Sequence, residues 1–190
     1  MINPREFSDN PATVLTARLK GLIKNTGWFS AVGAALGTAE RIECEEYLSA
    51  LGFPDAAVAP VTDWEEAEAC ARNPDWNTAW WEAEEQLRID LIATAEDQVS
   101  PPILMQILSD ITGSAAATAQ GGAAMAAARA GIADEGLIRA AAGAGAQAAY
   151  QAALVLITGR EEDHPFALKF RLFEAGRWPL GIIGSSFNIF

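Results

Sequence analysis

The 190-residue sequence holds one histidine and two cysteines, and that scarcity excludes much chemistry. Cys44 and Cys70 lack the spacing of a zinc knuckle or a redox pair. They read as small hydrophobic residues in a reducing compartment. The lone His164 precedes Pro165, where it serves most simply as a helix cap and first turn. There is no phosphate-binding glycine loop, no dinucleotide fingerprint and no serine elbow. Alternating β-branched runs of strand type are absent outside the C-terminal tail. The start of the chain carries no charged leader followed by an apolar run. The most apolar stretches are rich in Ala and Gly and are broken by Gln120, Arg129 and Asp134, so no membrane span of about 20 strongly apolar residues is expected. A cytoplasmic protein is the expectation.

What the sequence does have is alanine and legible helix punctuation. Pro11 follows Asn10 and opens a helix to about Lys24, closed by Asn25-Thr26-Gly27. A second helix is predicted from Phe29 to Leu51, stopping at Gly52-Phe53-Pro54. Residues 53–61 read as a Pro/Ala connector. Thr62-Asp63-Trp64-Glu65 forms a capping box for a short helix to Arg72. Asn73-Pro74 starts a fourth helix to Asp97, Ser100-Pro101 a fifth to Arg129, Asp134 a sixth to Gly159, and Asp163-His164-Pro165 a seventh to Gly176. The expected fold is an all-α, single-domain bundle of about seven helices, covering residues 1–190. The Ala/Gly-rich stretch from Gly113 to Ala153 predicts two helices packed unusually close as an antiparallel hairpin. Its glycines Gly121, Gly122, Gly143 and Gly145 each cost about 1 kcal/mol against alanine and call for close contact or a kink. The tail, Trp178 to Phe190, reads as irregular but too apolar to stand in water, so it should dock on its own bundle or on a partner subunit.

Charge is unevenly spread. The net charge is −12. Residues 39–97 hold sixteen Asp and Glu against three Arg, whereas the rest of the chain is close to neutral. Such a chain repels phosphate backbones, so nucleic-acid binding is not expected. A basic protein or a cation is the better electrostatic partner, with a solvated acidic skin as the plain alternative.

Helical wheels at about 100° per residue place acids on inward faces. Glu40 and Glu43 fall on the face of Phe29, Val32, Leu36, Tyr47 and Leu51. Asp90 falls on the face of Trp76, Trp80, Leu87 and Leu91, and Asp110 on that of Ile103 and Ile107. Buried carboxylates need a basic partner, helix-end amides or a metal ion. Glu40, Glu43, Asp90 and Asp110 are therefore candidate ligands for Mg or Mn, which suit an all-oxygen site. The alternative pairs them with arginines at the core rim. A ferritin-like di-iron site needs two Glu-x-x-His motifs and cannot be built with one histidine. Glu40-x-x-Glu43 resembles the first half of the magnesium motif of the all-α nucleotide pyrophosphatases. The second half, Glu-x-x-Asp, is missing because Leu87 stands three residues before Asp90.

Six tryptophans is a high count for this length. Trp76 and Trp80 fall on a buried face and Trp81 off it, beside Arg88. Trp81, Glu84, Glu85 and Arg88 form a candidate binding patch, an aromatic anchor rimmed by acids. The seventh helix is apolar on two sides and should lie between layers. Three functional expectations follow. The first is a non-catalytic acidic helical protein that binds a protein partner or itself, with no cofactor. The second is a divalent-metal enzyme built on the four acids. The third is a helical bundle that holds a small molecule in a cavity of a few hundred Å3 lined by tryptophan and alanine.

Overall fold

Helix boundaries follow the capping chemistry closely. A computed structural model describes residues 11–160 and 163–190; the Asn10 cap lies outside them. Among the described residues there are seven helices: α1 (Pro11–Asn25), α2 (Thr38–Leu51), α3 (Trp64–Ala71), α4 (Thr78–Gln98), α5 (Pro101–Arg129), α6 (Glu135–Ile157) and α7 (Pro165–Glu174). Asp63, Asn77 and Asp134 each accept a backbone N–H at the start of α3, α4 and α6. At α7 the ring of His164 does the same, with Nδ1 accepting the N–H of Phe166 at 3.2 Å. The capping box at α3 lies one residue later than the sequence suggests. Glu66, not Glu65, reaches back to the N–H of Thr62 at 2.9 Å.

The Ala/Gly hairpin is α5 against α6, the most extensive packing in the molecule. Ala115, Ala119, Ala123 and Ala127 of α5 and Ala141, Ala148, Ala149 and Ala153 of α6 are all buried. Two of the four glycines are there for close approach. A Cβ on Gly122 would lie 2.6 Å from the Cβ and carbonyl oxygen of Trp28, and one on Gly145 2.9 Å from the Trp28 ring and 3.2 Å from Ala119 Cβ. Gly121 and Gly143 have no such neighbour. α6 is long and apolar enough to cross a membrane, contrary to the sequence reading, because alanines add to Leu154, Val155, Leu156 and Ile157; 67% of that stretch is buried among the other elements.

Three expectations need correction. The fourth helix begins at Thr78 under the Asn77 cap, not at Asn73-Pro74: Asn73 Oδ1 takes the N–H of Asp75, and Trp76 bridges to Ile183 instead of entering the helix. The chain carries a small three-stranded sheet of β1 (Ala57–Pro60), β2 (Pro179–Ile183) and β3 (Ser186–Ile189), in the order β1-β3-β2. The tail read as irregular is an antiparallel hairpin, and the connector read as coil pairs parallel with β3. The tail thus docks on its own chain, with Ile182, Phe187, Ile189 and Phe190 buried. The second helix also begins at Thr38, not Phe29. Phe29 has a φ of 58° and Gly33 one of 77°, which no helix accommodates. The 28–37 segment instead turns to place Trp28 and Phe29 among Phe170, Phe173 and Trp178, with ring centroids 5.7–6.4 Å apart. Arg177 takes the carbonyls of Ala31, Ala34 and Ala35 at 2.7–2.8 Å, acceptors that a helix would have used internally.

Candidate binding cleft

Two apolar clusters make the core, and α4 faces both. One holds Trp28, Phe29, Trp64 and the α5–α6 alanines; the other holds Tyr47, Leu48, Trp80, Leu168, Ile182 and Phe187. The buried side of α4 carries Trp80, Glu84, Leu91 and Ala95. Its inward acid is therefore Glu84, while Asp90 is exposed. The buried stripe runs through positions 80, 84, 91 and 95, so the face expected from Trp76 and Leu87 is turned from the true one and Asp90 falls outside it. Among the described residues Glu84 is the only Asp or Glu that is fully buried, at 5% exposure.

Its partners come from three elements. Lys169 of α7 donates to both carboxylate oxygens, at 2.7 and 2.8 Å, and is itself 8% exposed. The Tyr47 hydroxyl of α2 donates to Glu84 Oε1 at 2.7 Å and accepts the Trp80 indole N–H at 2.9 Å. Lys169 Nζ also lies 5.7 Å from the centroid of the Trp80 ring, within cation–π range. Burial first, and then Glu84, pushes the Tyr47 phenol well above its ordinary range, so it stays a donor. Two buried charges would each cost several kcal/mol if left alone; here they are paired and hydrogen-bonded on each side.

Glu84, Lys169 and Trp80 of this network line a cleft of about 250 Å3 between α4, α6, α7 and β2. Trp76, Trp80 and Trp81 make one wall, with Ala140, Ala144 and Gln147 of α6 opposite and Trp178 to Leu180 at the end. Trp76 and Trp80 stack at 5.9 Å with 25° between their planes. They rest on Gly181, whose φ of 110° suits glycine and whose missing Cβ would lie 2.6 Å from Trp76 Cζ3 and 2.7 Å from Trp80 Cη2. Trp81 stands at the mouth, 58% exposed. One turn beyond Gln147 on α6, Gln151 is 1% exposed and its Oε1 has no hydrogen-bond partner among the described residues. Buried side-chain acceptors in that state are few and call for an explanation.

Of the residues predicted for a binding patch, Glu84 and Trp81 line this cleft. Glu85 and Arg88 instead pair with each other along α4, with Arg88 Nε 2.8 Å from Glu85 Oε2. That hydrogen bond holds the Glu85 carboxyl below its ordinary range. Three of the four candidate metal ligands take separate partners. Glu40 accepts from Arg177 at 2.6 and 3.0 Å and from the N–H of Gly37 at 2.6 Å. Glu43 is half-buried on the same helix, its carboxyl raised mainly by desolvation with Arg171 opposing. Asp90 accepts from Gln86 at 2.9 Å. Asp110 pairs with Lys20 of α1 at 2.8 Å, which holds its carboxyl low. Among the described residues, no group of three or more His, Cys, Asp and Glu is placed to hold a metal ion.

Lys169 and Tyr47 were missed in the sequence. Lys169 sits between Leu168 and Phe170 in a helix apolar on two sides, which is a signal that a lysine is being carried inward. Tyr47 was read as part of an apolar face, and nothing local distinguishes a hydroxyl with a buried partner. A larger hollow of about 450 Å3 lies between the 30–33 turn, the start of α3 and the end of α5. Its charged residues, Asp63, Glu65 and Arg129, are all exposed, so it lacks the desolvated polar groups of a recognition site. Compared with protein-family models, curated proteins and solved structures, the chain matches none.

Proposed function

We propose that the protein is a helical small-molecule-binding protein and that the cleft above the Glu84–Lys169 pair is its site. The observation that carries this reading is a pocket lined by four indoles and three alanines together with a desolvated ion pair. Ligand sites are mostly apolar, with a few well-placed polar groups. At about 250 Å3 the cleft lies just below the size range of drug-like ligands, so it suits a flat molecule of one ring system. The ring would lie against Trp76, Trp80 and Trp81, and its polar end would meet Gln147 and the ion pair. The test is calorimetric titration with indole, tryptamine and indole-3-acetate, in the native protein and in Ala144→Leu, which fills the cleft. Binding of at least one probe that is lost in the filled variant supports the reading. No binding by any of the three, or equal binding by both proteins, overturns it.

A second reading, in which the acidic segment binds a basic protein, is favoured by one further observation. Trp81 is exposed beside Glu82, and eleven of the sixteen acids in residues 39–97 are exposed as well. Such a complex would weaken strongly with salt. A salt-independent affinity for a basic partner would sink it.

A further inference from the structure

A second hollow has the opposite electrical character. Between α1, α6 and α7 lies a groove of about 220 Å3, floored by Leu19, Val155 and Phe170 with Leu22 at its edge. Three arginines line it, Arg18, Arg160 and Arg171, against one acid, Glu174. In a chain of net charge −12 this is a local reversal. Arg18 and Arg160 are exposed and have no ion-pair or hydrogen-bond acceptor among the described residues, whereas Lys20, Arg72, Arg88, Lys169 and Arg177 are each bound to a carboxylate. Leu22 remains 43% exposed at the lip.

We propose that this groove binds a carboxylate-headed acyl chain, with the alkyl tail along Leu19, Leu22, Val155 and Phe170 and the head between Arg18 and Arg160. The guanidinium fork matches a carboxylate in two-point geometry. The apolar floor rewards each methylene that leaves water by about 0.8 kcal/mol. Charge complementarity selects the occupant. A cationic amphiphile of the same length meets the same floor but is repelled by the rim. The site is separate from the tryptophan cleft, and neither reading depends on the other.

The test uses octanoate and octylammonium, two eight-carbon probes whose heads carry opposite charge, titrated by calorimetry at low salt below their micelle concentrations. Octanoate is expected to bind and octylammonium to bind at least tenfold more weakly. The double variant Arg18→Gln/Arg160→Gln is expected to lose at least tenfold in octanoate affinity with no shift in thermal unfolding, since neither side chain holds the fold. Leu22→Asp, at an exposed lip position, should weaken octanoate by a similar factor. Equal affinity for the two probes overturns the proposal, as does undiminished octanoate binding in the double variant. Absence of octanoate binding overturns it too, even if vesicles of anionic phospholipid are bound.

Discussion

Arg177 and Glu40, 137 residues apart in sequence, meet as a two-pronged pair, with Nε to Oε1 at 2.6 Å and Nη2 to Oε2 at 3.0 Å. The three remaining N–H groups of the guanidinium go to the carbonyls of Ala31, Ala34 and Ala35. All five donors are satisfied, and the side chain is 4% exposed. Replacing Arg177 by Gln should cost about 3 kcal/mol, the scale for breaking a buried pair. Lys, which lacks the planar fork, should recover only part of it. Urea denaturation of the three proteins at pH 7 measures this; a loss below 1 kcal/mol would show that the 28–37 segment is held by its aromatic contacts instead.

The same pair sets an acid dependence. The Arg177 hydrogen bond is the largest influence on Glu40 and holds its carboxyl below the ordinary value of 4.5. A carboxyl lowered in the folded state binds fewer protons there than in the unfolded chain, so stability rises with pH through the window. The contribution is complete above about pH 4.5 and is lost as pH falls through the lowered folded value. Unfolding free energies measured between pH 6 and pH 3 should therefore fall less steeply in Arg177→Gln than in the native protein. Parallel slopes would remove Glu40 from the account.

Breaking the Glu84–Lys169 pair from one side leaves an uncompensated charge in the second core cluster. Lys169→Met and Glu84→Gln should each destabilise by about 3 kcal/mol, and the double variant should lose less than the two singles combined. A double-mutant cycle by chemical denaturation gives the coupling. Additive losses would mean that the two side chains do not sense one another.

The glycines of the α5–α6 hairpin separate into two kinds. Gly122→Ala drives a methyl group into the backbone of Trp28 and should cost at least 2 kcal/mol. Gly143→Ala, with open space around it, should stabilise by about 0.5–1 kcal/mol through helix propensity alone. Thermal unfolding of the two variants should move in opposite directions; shifts of the same sign would contradict the close-approach argument.

The two thiols should differ in reactivity. Burial pushes Cys44 up to about 12, so almost no thiolate exists at neutral pH, and the residue is fully enclosed. Cys70 is half-buried and raised less. A thiol reagent at pH 8 should modify Cys70 first and reach Cys44 only on unfolding. Rapid labelling of Cys44 in the native protein would show that α2 opens.

Helix positions were legible because caps are local. Asp134 and Pro165 announce α6 and α7 within four residues, and the close-packed hairpin is written in alanine. The sheet was not legible, because β1 is Ala-Val-Ala-Pro, with one strand-favouring residue in four, and its partner lies far off in the chain. The start of α2 was lost for a related reason: Phe29, Val32 and Leu36 have helical spacing, but a distant arginine and an aromatic cluster bend them into turns. In the candidate site the acid and the exposed indole, Glu84 and Trp81, were named from their patch. The partners of Glu84 were not legible because its lysine and tyrosine arrive from α7 and α2, and only tertiary packing brings three helices to one carboxylate.

The parallel pairing of β1 with β3 also shapes the order of folding events. Helix pairs such as α5–α6 can form from neighbouring segments within microseconds to milliseconds. Residues 57–60, however, stay without a ladder until residues 186–189 come to lie beside them, after the intervening helices have found their places. Refolding should thus run in two stages, an early gain of helical signal and a later closure that shields the indoles near the strands. Until that closure residues 57–60 are open on both sides, and interlopers with extended backbone can take the side that belongs to β3.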